Sequence, residues 1–134
     1  MSDARHALMA EIYRVLLADG TLAAQLAGQG VFDGVPQGAA HPFVSIGEVR
    51  SGALDADAVP TMEHRVELIV NTRSGRREAS EIADRVRAVL EDAAMAPEGH
   101  RLVSLGHRDT DVTSSRDGRA FRARMRFRAL TEAN

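Results

Sequence analysis

The sequence predicts an α+β domain: a mostly antiparallel sheet of four to five strands with two main helices packed on one face. Three observations lead there. One segment near the start and another after residue 74 repeat apolar residues at helical spacing. Other stretches alternate apolar and polar residues with period two, as half-buried strands do. The last two of these are joined across Asp117-Gly118, a strong hairpin signal. The order is helix, strands, helix, hairpin, without repeats or low-complexity tails, and 134 residues suit one domain, 1–134.

In chain order, residues 3–18 read as a helix on Leu8, Ile12, Val15 and Leu16. Asp19-Gly20 closes it, and Thr21 is expected to cap a short second helix carrying Leu22 and Leu26. The glycine- and proline-rich stretch 28–42 holds at most a short strand at Val31-Phe32. Phe43 to Val49 is a strand, and RSGALDADAVP (50–60) reads as a small-residue, acidic loop. Thr61 to Thr72 is the longest strand, alternating Met62, His64, Val66, Leu68 and Val70 against Glu63, Arg65 and Glu67. Ser74 is expected to cap a long helix over 75–93, with Ala79, Ile82, Ala83, Val86, Val89 and Leu90 on one face. Leu102 to Ser114 and Arg119 to Leu130 are the hairpin strands.

Composition narrows the function classes. There are no cysteines, hence no disulfides, thiolate metal sites or cysteine nucleophile. The N-terminal MSDARHALMAE is charged and lacks a signal peptide's apolar stretch, and no run approaches the ~18–20 apolar residues of a membrane span. The expected setting is a bacterial cytoplasm, or a particle assembled there, with no membrane contact. Net charge is −2, from 17 basic and 19 acidic residues, and every basic residue is an arginine. Nucleic-acid-binding domains usually carry a positive excess, and single-strand binders carry aromatic platforms. This chain is 4% aromatic, with no tryptophan.

The segment RAFRARMRFRAL (119–130) sets Arg122, Arg124, Arg126 and Arg128 on one strand face, with Phe121, Ala123, Met125 and Phe127 on the other. A turn centred on Asp117-Gly118 pairs positions summing to 235. Asp111 then faces Arg124 and Asp109 faces Arg126, while Thr113 faces Arg122 and His107 faces Arg128. On the apolar side Arg108 meets Phe127. The hairpin thus leaves Arg122 and Arg128 without a carboxylate, and water or an acidic partner surface is expected to meet them.

No other constellation carries chemistry. His107, Asp109 and Asp111 share a predicted strand face, but the opposing arginines compete for the carboxylates, so no metal site is expected. GQGVFDG follows a helix and has the wrong glycine spacing for a dinucleotide fingerprint. His64, among Met62, Val66 and Leu68, reads as a satisfied core or interface histidine. No serine lies in a nucleophile elbow. No catalytic residue and no cofactor is predicted.

Three stretches together carry a family resemblance: VFDGVPQGAAHPFVSIGEV (31–49), VELIVNTRSGRREASEIADRVRAVLEDA (66–93) and HRLVSLGHRDTDVTSSRDGRAFRARMRFRALTE (100–132). They resemble the small tail-completion, or tail-terminator, proteins of long-tailed phages and gene transfer agents. With the N-terminal helix, the similarity spans nearly the whole chain. The resemblance implies a structural protein of the phage or gene transfer agent particle. Such a protein forms a homo-oligomeric ring, usually hexameric, at the head-proximal end of the tail tube. It would stop tube growth and join the tail to the head connector, with the tail tube protein and the connector as partners and DNA only in transit. A head-completion or connector-adaptor role at the same junction, and a DNA-contacting role for the arginine face, are the competing readings.

A 14.5 kDa subunit has roughly 7,000 Å² of surface, enough for two ring neighbours at about 800 Å² each. A closed head-to-tail ring needs two complementary patches per chain. The interface expected here sets Arg122, Arg124, Arg126 and Arg128, with Asp109 and Asp111, against an acidic set of Glu63, Glu67, Asp55 and Asp57. Replacing Arg122 and Arg128 with glutamate is expected to abolish ring or tail attachment without unfolding the monomer. The loop 50–60 reads either as a slack hairpin connection or as a segment that orders against ring, tube or connector, and deleting 53–57 separates the two, normal tails marking the connection.

Overall fold

The computed structural model describes residues 3–27, 30–54 and 60–134. Its elements are α1 (Ala4–Ala18), α2 (Gly20–Gln25), β1 (Val31–Phe32), β2 (Phe43–Leu54), β3 (Thr61–Thr72), α3 (Arg76–Asp92), β4 (His100–Ser114) and β5 (Phe121–Ala133). One five-stranded sheet runs in the order β1-β2-β3-β5-β4. The two-residue β1 lies parallel to β2, and the remaining neighbours are antiparallel. The α+β expectation therefore holds, with β3 at the bounds its alternation predicts.

The core forms where three apolar periodicities meet. From β3 come Val66, Leu68 and Val70, and from β5 come Ala123, Met125, Phe127 and Ala129, all buried on one sheet face. The stripe of α3 (Ala79, Ile82, Ala83, Val86, Val89 and Leu90) packs against them, joined by Leu8, Ile12 and Leu16 of α1. Each valine, leucine, isoleucine, methionine or phenylalanine among them contributes about 1.5–3 kcal/mol when fully buried.

Several boundaries differ from the sequence expectation; β4 starts at His100 rather than Leu102, and β5 runs over Phe121–Ala133 rather than 119–130. α2 is capped by Asp19 rather than Thr21: the Asp19 carboxylate accepts from the Leu22 amide at 2.8 Å. The same carboxylate receives Arg85 of α3 at 2.6 and 2.8 Å, tying the α1–α2 junction to α3. α3 begins after Gly75, which takes φ +125°, and Ser74 makes no cap. That backbone conformation favours glycine, so the glycine rather than the serine marks the entry. Finally, β2 continues through Leu54, pairing with β3 as far as Leu54 opposite Thr61, so residues 50–54 of the predicted loop 50–60 are strand. Asp55 and Asp57 lie outside the described residues.

The hairpin keeps the predicted register near its turn. Ser115 and Ala120 close the loop, with the Ser115 amide donating to the Ala120 carbonyl at 2.8 Å. Asp109 is opposite Arg126, Asp111 opposite Arg124 and Thr113 opposite Arg122. Between His107 and Asp109 the register shifts, so His107 is opposite Phe127 and Gly106, not His107, is opposite Arg128. Arg108 is the extra residue of this bulge and is exposed, so it does not meet Phe127 in the core as period two predicts.

Candidate functional site

The helices cover one face of the sheet; the other presents the arginine row of β5. In β5 the residues Ala123, Met125, Phe127 and Ala129 are buried, and the interleaved Arg122, Arg124, Arg126 and Arg128 point the other way. Two strands flank this row. On one side β4 brings Asp109 and Asp111. On the other, β3 sets Arg65 opposite Arg128, Glu67 opposite Arg126, Ile69 opposite Arg124 and Asn71 opposite Arg122.

Arg126 is the hub. It donates to Asp109 at 2.7 Å and Asp111 at 3.0 Å, and Glu67 lies 3.7 Å away. Its hydrogen bonds to Asp109 and Asp111 raise its pKa further, so it is charged at any relevant pH. Asp111 therefore bonds the diagonal arginine rather than Arg124, its directly opposed partner. Long side chains on a twisted pair reach diagonal positions. Arg124 approaches Glu67 at 3.6 Å instead.

Arg128 is not left unpaired, as the hairpin alone implies. Its Nε donates to Glu63 of β3 at 2.6 Å, and that bond lowers the Glu63 pKa. The missing signal was the neighbour relation of β3 and β5, which are separated in sequence by α3 and β4. Glu63 and Glu67, expected to serve as an acidic patch for a neighbour, lie among arginines of their own chain. Arg122 is exposed beside His41, whose pKa is lowered first by burial and then by the charges of Arg73 and Arg122.

Glu67 has a seat of its own. Its carboxylate lies over Gly47, at the irregularity of β2 between Ile46 and Val49, where a Cβ would overlap it. The glycine thus lets a carboxylate sink to 15% exposure beneath Arg124 and Arg126.

The bulge at Arg108 separates the residues of the supposed metal cluster. His107 turns to the helix side, edge-on to Phe127 with centroids 5.5 Å apart, and lies 2.6 Å from the Thr110 hydroxyl. Among the described residues no group of three histidine, aspartate or glutamate side chains is placed to hold a metal. His64 is fully buried between Ser51, 2.7 Å from Nδ1, and Thr131, 2.9 Å from Nε2. It is a satisfied core histidine.

Sequence reasoning overlooked Arg50, Arg65 and Arg108. They line a cleft of about 340 Å³ on the open face together with Arg126 and Arg128. Arg108 reaches it because of the bulge, and Arg50 because β2 extends beyond Val49. The arrangement is a lattice of arginines interspersed with fewer carboxylates, without a nucleophile, an acid–base pair or a metal shell among the described residues. The chemistry such an arrangement can offer is ion pairing.

Comparison with known proteins adds the following. The family described as Tail completion protein gp17 matches residues 10–132. A chain in the solved virion of a native gene transfer agent particle superposes with a TM-score of 0.87 at 28% identity, over 99% of this chain and 100% of that one. The gp17 protein of bacteriophage SPP1 superposes with a TM-score of 0.66 at 20% identity, over 94% and 89%, a likeness of fold. No curated protein sequence matches the chain.

Proposed function

The chain belongs to the tail completion protein gp17 family, and from that premise we propose that it forms a ring at the head-proximal end of a phage-like tail tube. The family role is structural. The finer reading is that the ring ends tube growth and offers the surface on which the head connector docks, in a phage or gene transfer agent particle. The observation that carries it is the match, over 99% of this chain and 100% of the other, to a chain of a gene transfer agent virion.

The physical properties suit a ring subunit. The chain exposes 7707 Å², and two neighbours at about 800 Å² each would cover about a fifth of it. The open sheet face offers charge without an apolar core, which suits a contact formed between already folded proteins. Arg122 and the lattice of Arg124, Arg126, Arg128, Asp109, Asp111, Glu63 and Glu67 would form one patch, and the acidic Asp55 and Asp57 belong to the complementary one. No helix among the described residues is long and apolar enough to cross a membrane.

Electron microscopy of particles from cells lacking the protein tests this reading. Overlong tubes are expected if the ring ends polymerisation. Headless tails of normal length would move the role to joining alone, and intact particles would overturn it.

A further inference from the structure

Three arginines stand in register across three adjacent strands of the open face. Arg50 of β2 is opposite Arg65 of β3, and Arg65 is opposite Arg128 of β5. Like charges directly opposed on a sheet repel each other. Carboxylates are scarce here. Glu63 serves both Arg65, at 3.4 Å, and Arg128, at 2.6 Å. Among the described residues Arg50 and Arg108 have no ion-pair partner. The cleft they line has five arginines against Glu48, Glu67 and Asp109, and the last two already lie with Arg126. The whole chain is net negative, so this excess of positive charge is local.

One shared carboxylate, Glu63, does not offset the repulsion within such a row. Placing an anion between the guanidinium groups removes the repulsion, and arginine's planar fork suits a carboxylate held bidentately. We propose that Arg50, Arg65, Arg108 and Arg128 form a receptor for the carboxylates of an acidic peptide segment on a neighbouring tail subunit. The chemistry favours discrete carboxylates over a nucleic-acid backbone. Glu48, Glu67 and Asp109 rim the same cleft and would repel a continuous line of phosphates, whereas two or three spaced carboxylates can settle between them. The inference rests on the tail-joint reading for the identity of the partner, and on the geometry for the site.

Hexaglutamate peptide and the isolated full-length protein test the site alone. Titration at low salt, followed by the arginine Nε–Hε signals, should give saturable shifts at Arg50, Arg65 and Arg108. The Arg50→Gln/Arg65→Gln variant should bind at least about tenfold more weakly, the loss expected when two charge-assisted contacts go. It should melt no lower than wild type, because like-charge opposition is relieved. No saturable binding, or equal binding by the variant, overturns the receptor. So does a DNA duplex that displaces the peptide from the same arginines, which would assign the cleft to phosphate. These failures leave the particle experiment free to support or refute the tail-joint reading.

Discussion

His64 has no accessible surface, and both its ring nitrogens are within hydrogen-bond reach of hydroxyls, those of Ser51 and Thr131. Hydroxyls can accept from a neutral or a charged ring, so the partners do not decide its protonation. Burial does: desolvation lowers its pKa, and the nearby Asp3, which acts in the opposite sense, does not offset this. Between the folded pKa and the unfolded value near 6.5 the unfolded chain binds a proton that the folded chain refuses. Stability is therefore complete above about pH 6.5 and falls as pH drops through that window, with a limiting slope of about 1.4 kcal/mol per pH unit for one proton. His41 is displaced in the same direction and adds to the effect. Urea denaturation of His64→Gln across pH 5 to 7 should show a flatter dependence than wild type. An unchanged slope would mean that His64 is not the group excluded from protonation.

The joint between α1, α2 and α3 depends on Asp19. Its carboxylate caps α2 through the Leu22 amide and holds Arg85 of α3 through two bonds, which together lower its pKa. The short α2 has only six residues to support it, so its start relies on the cap. Asp19→Ala should destabilise the domain by about 1–2 kcal/mol, a cap at the upper end of its usual range. Asp19→Asn keeps an acceptor oxygen for Leu22 and should lose less. Melting curves showing Asn as damaging as Ala would locate the effect in the ion pair and not in the cap. The strands β3 and β5 obey a simpler logic. Their period-two alternation was legible because the buried face is apolar except at His64, Thr72 and Thr131, and a one-residue slip would bury an arginine row.

For the molecule as a whole, the sheet divides roles: the face under the helices supplies the core, and the opposite face supplies the charges that a neighbour would meet. The β2–β3 pairing ends with Leu54 opposite Thr61, and Thr61 in turn is opposite Glu132 of β5. Because β2 runs through Leu54, removing 53–57 would take Ala53 and Leu54 from β2, whereas removing residues 55–57 leaves Phe43–Leu54 intact. The shorter deletion should leave the melting temperature within a few degrees of wild type while particles lose normal head–tail joining. Normal particles would reduce the segment to a connector. Arg122→Glu is the cleaner charge reversal on the face, since Arg128→Glu would set a second carboxylate against Glu63.

Fold class, the extent of β3, the hairpin register near its turn and the apolar faces of α1 and α3 could all be read from residue order. Each depends on contacts close in sequence or on a strict period. The family resemblance was legible for a related reason, since its motifs lie in continuous stretches. The ion pairs of the open face were not. Arg128 finds Glu63 because β5 inserts beside β3, and Arg108 joins the cleft because a bulge cancels the period. Strand order and bulges arise from how the whole sheet packs under its helices, so which charges meet is set by neighbours far apart in the chain, and alternation along one strand carries no record of them.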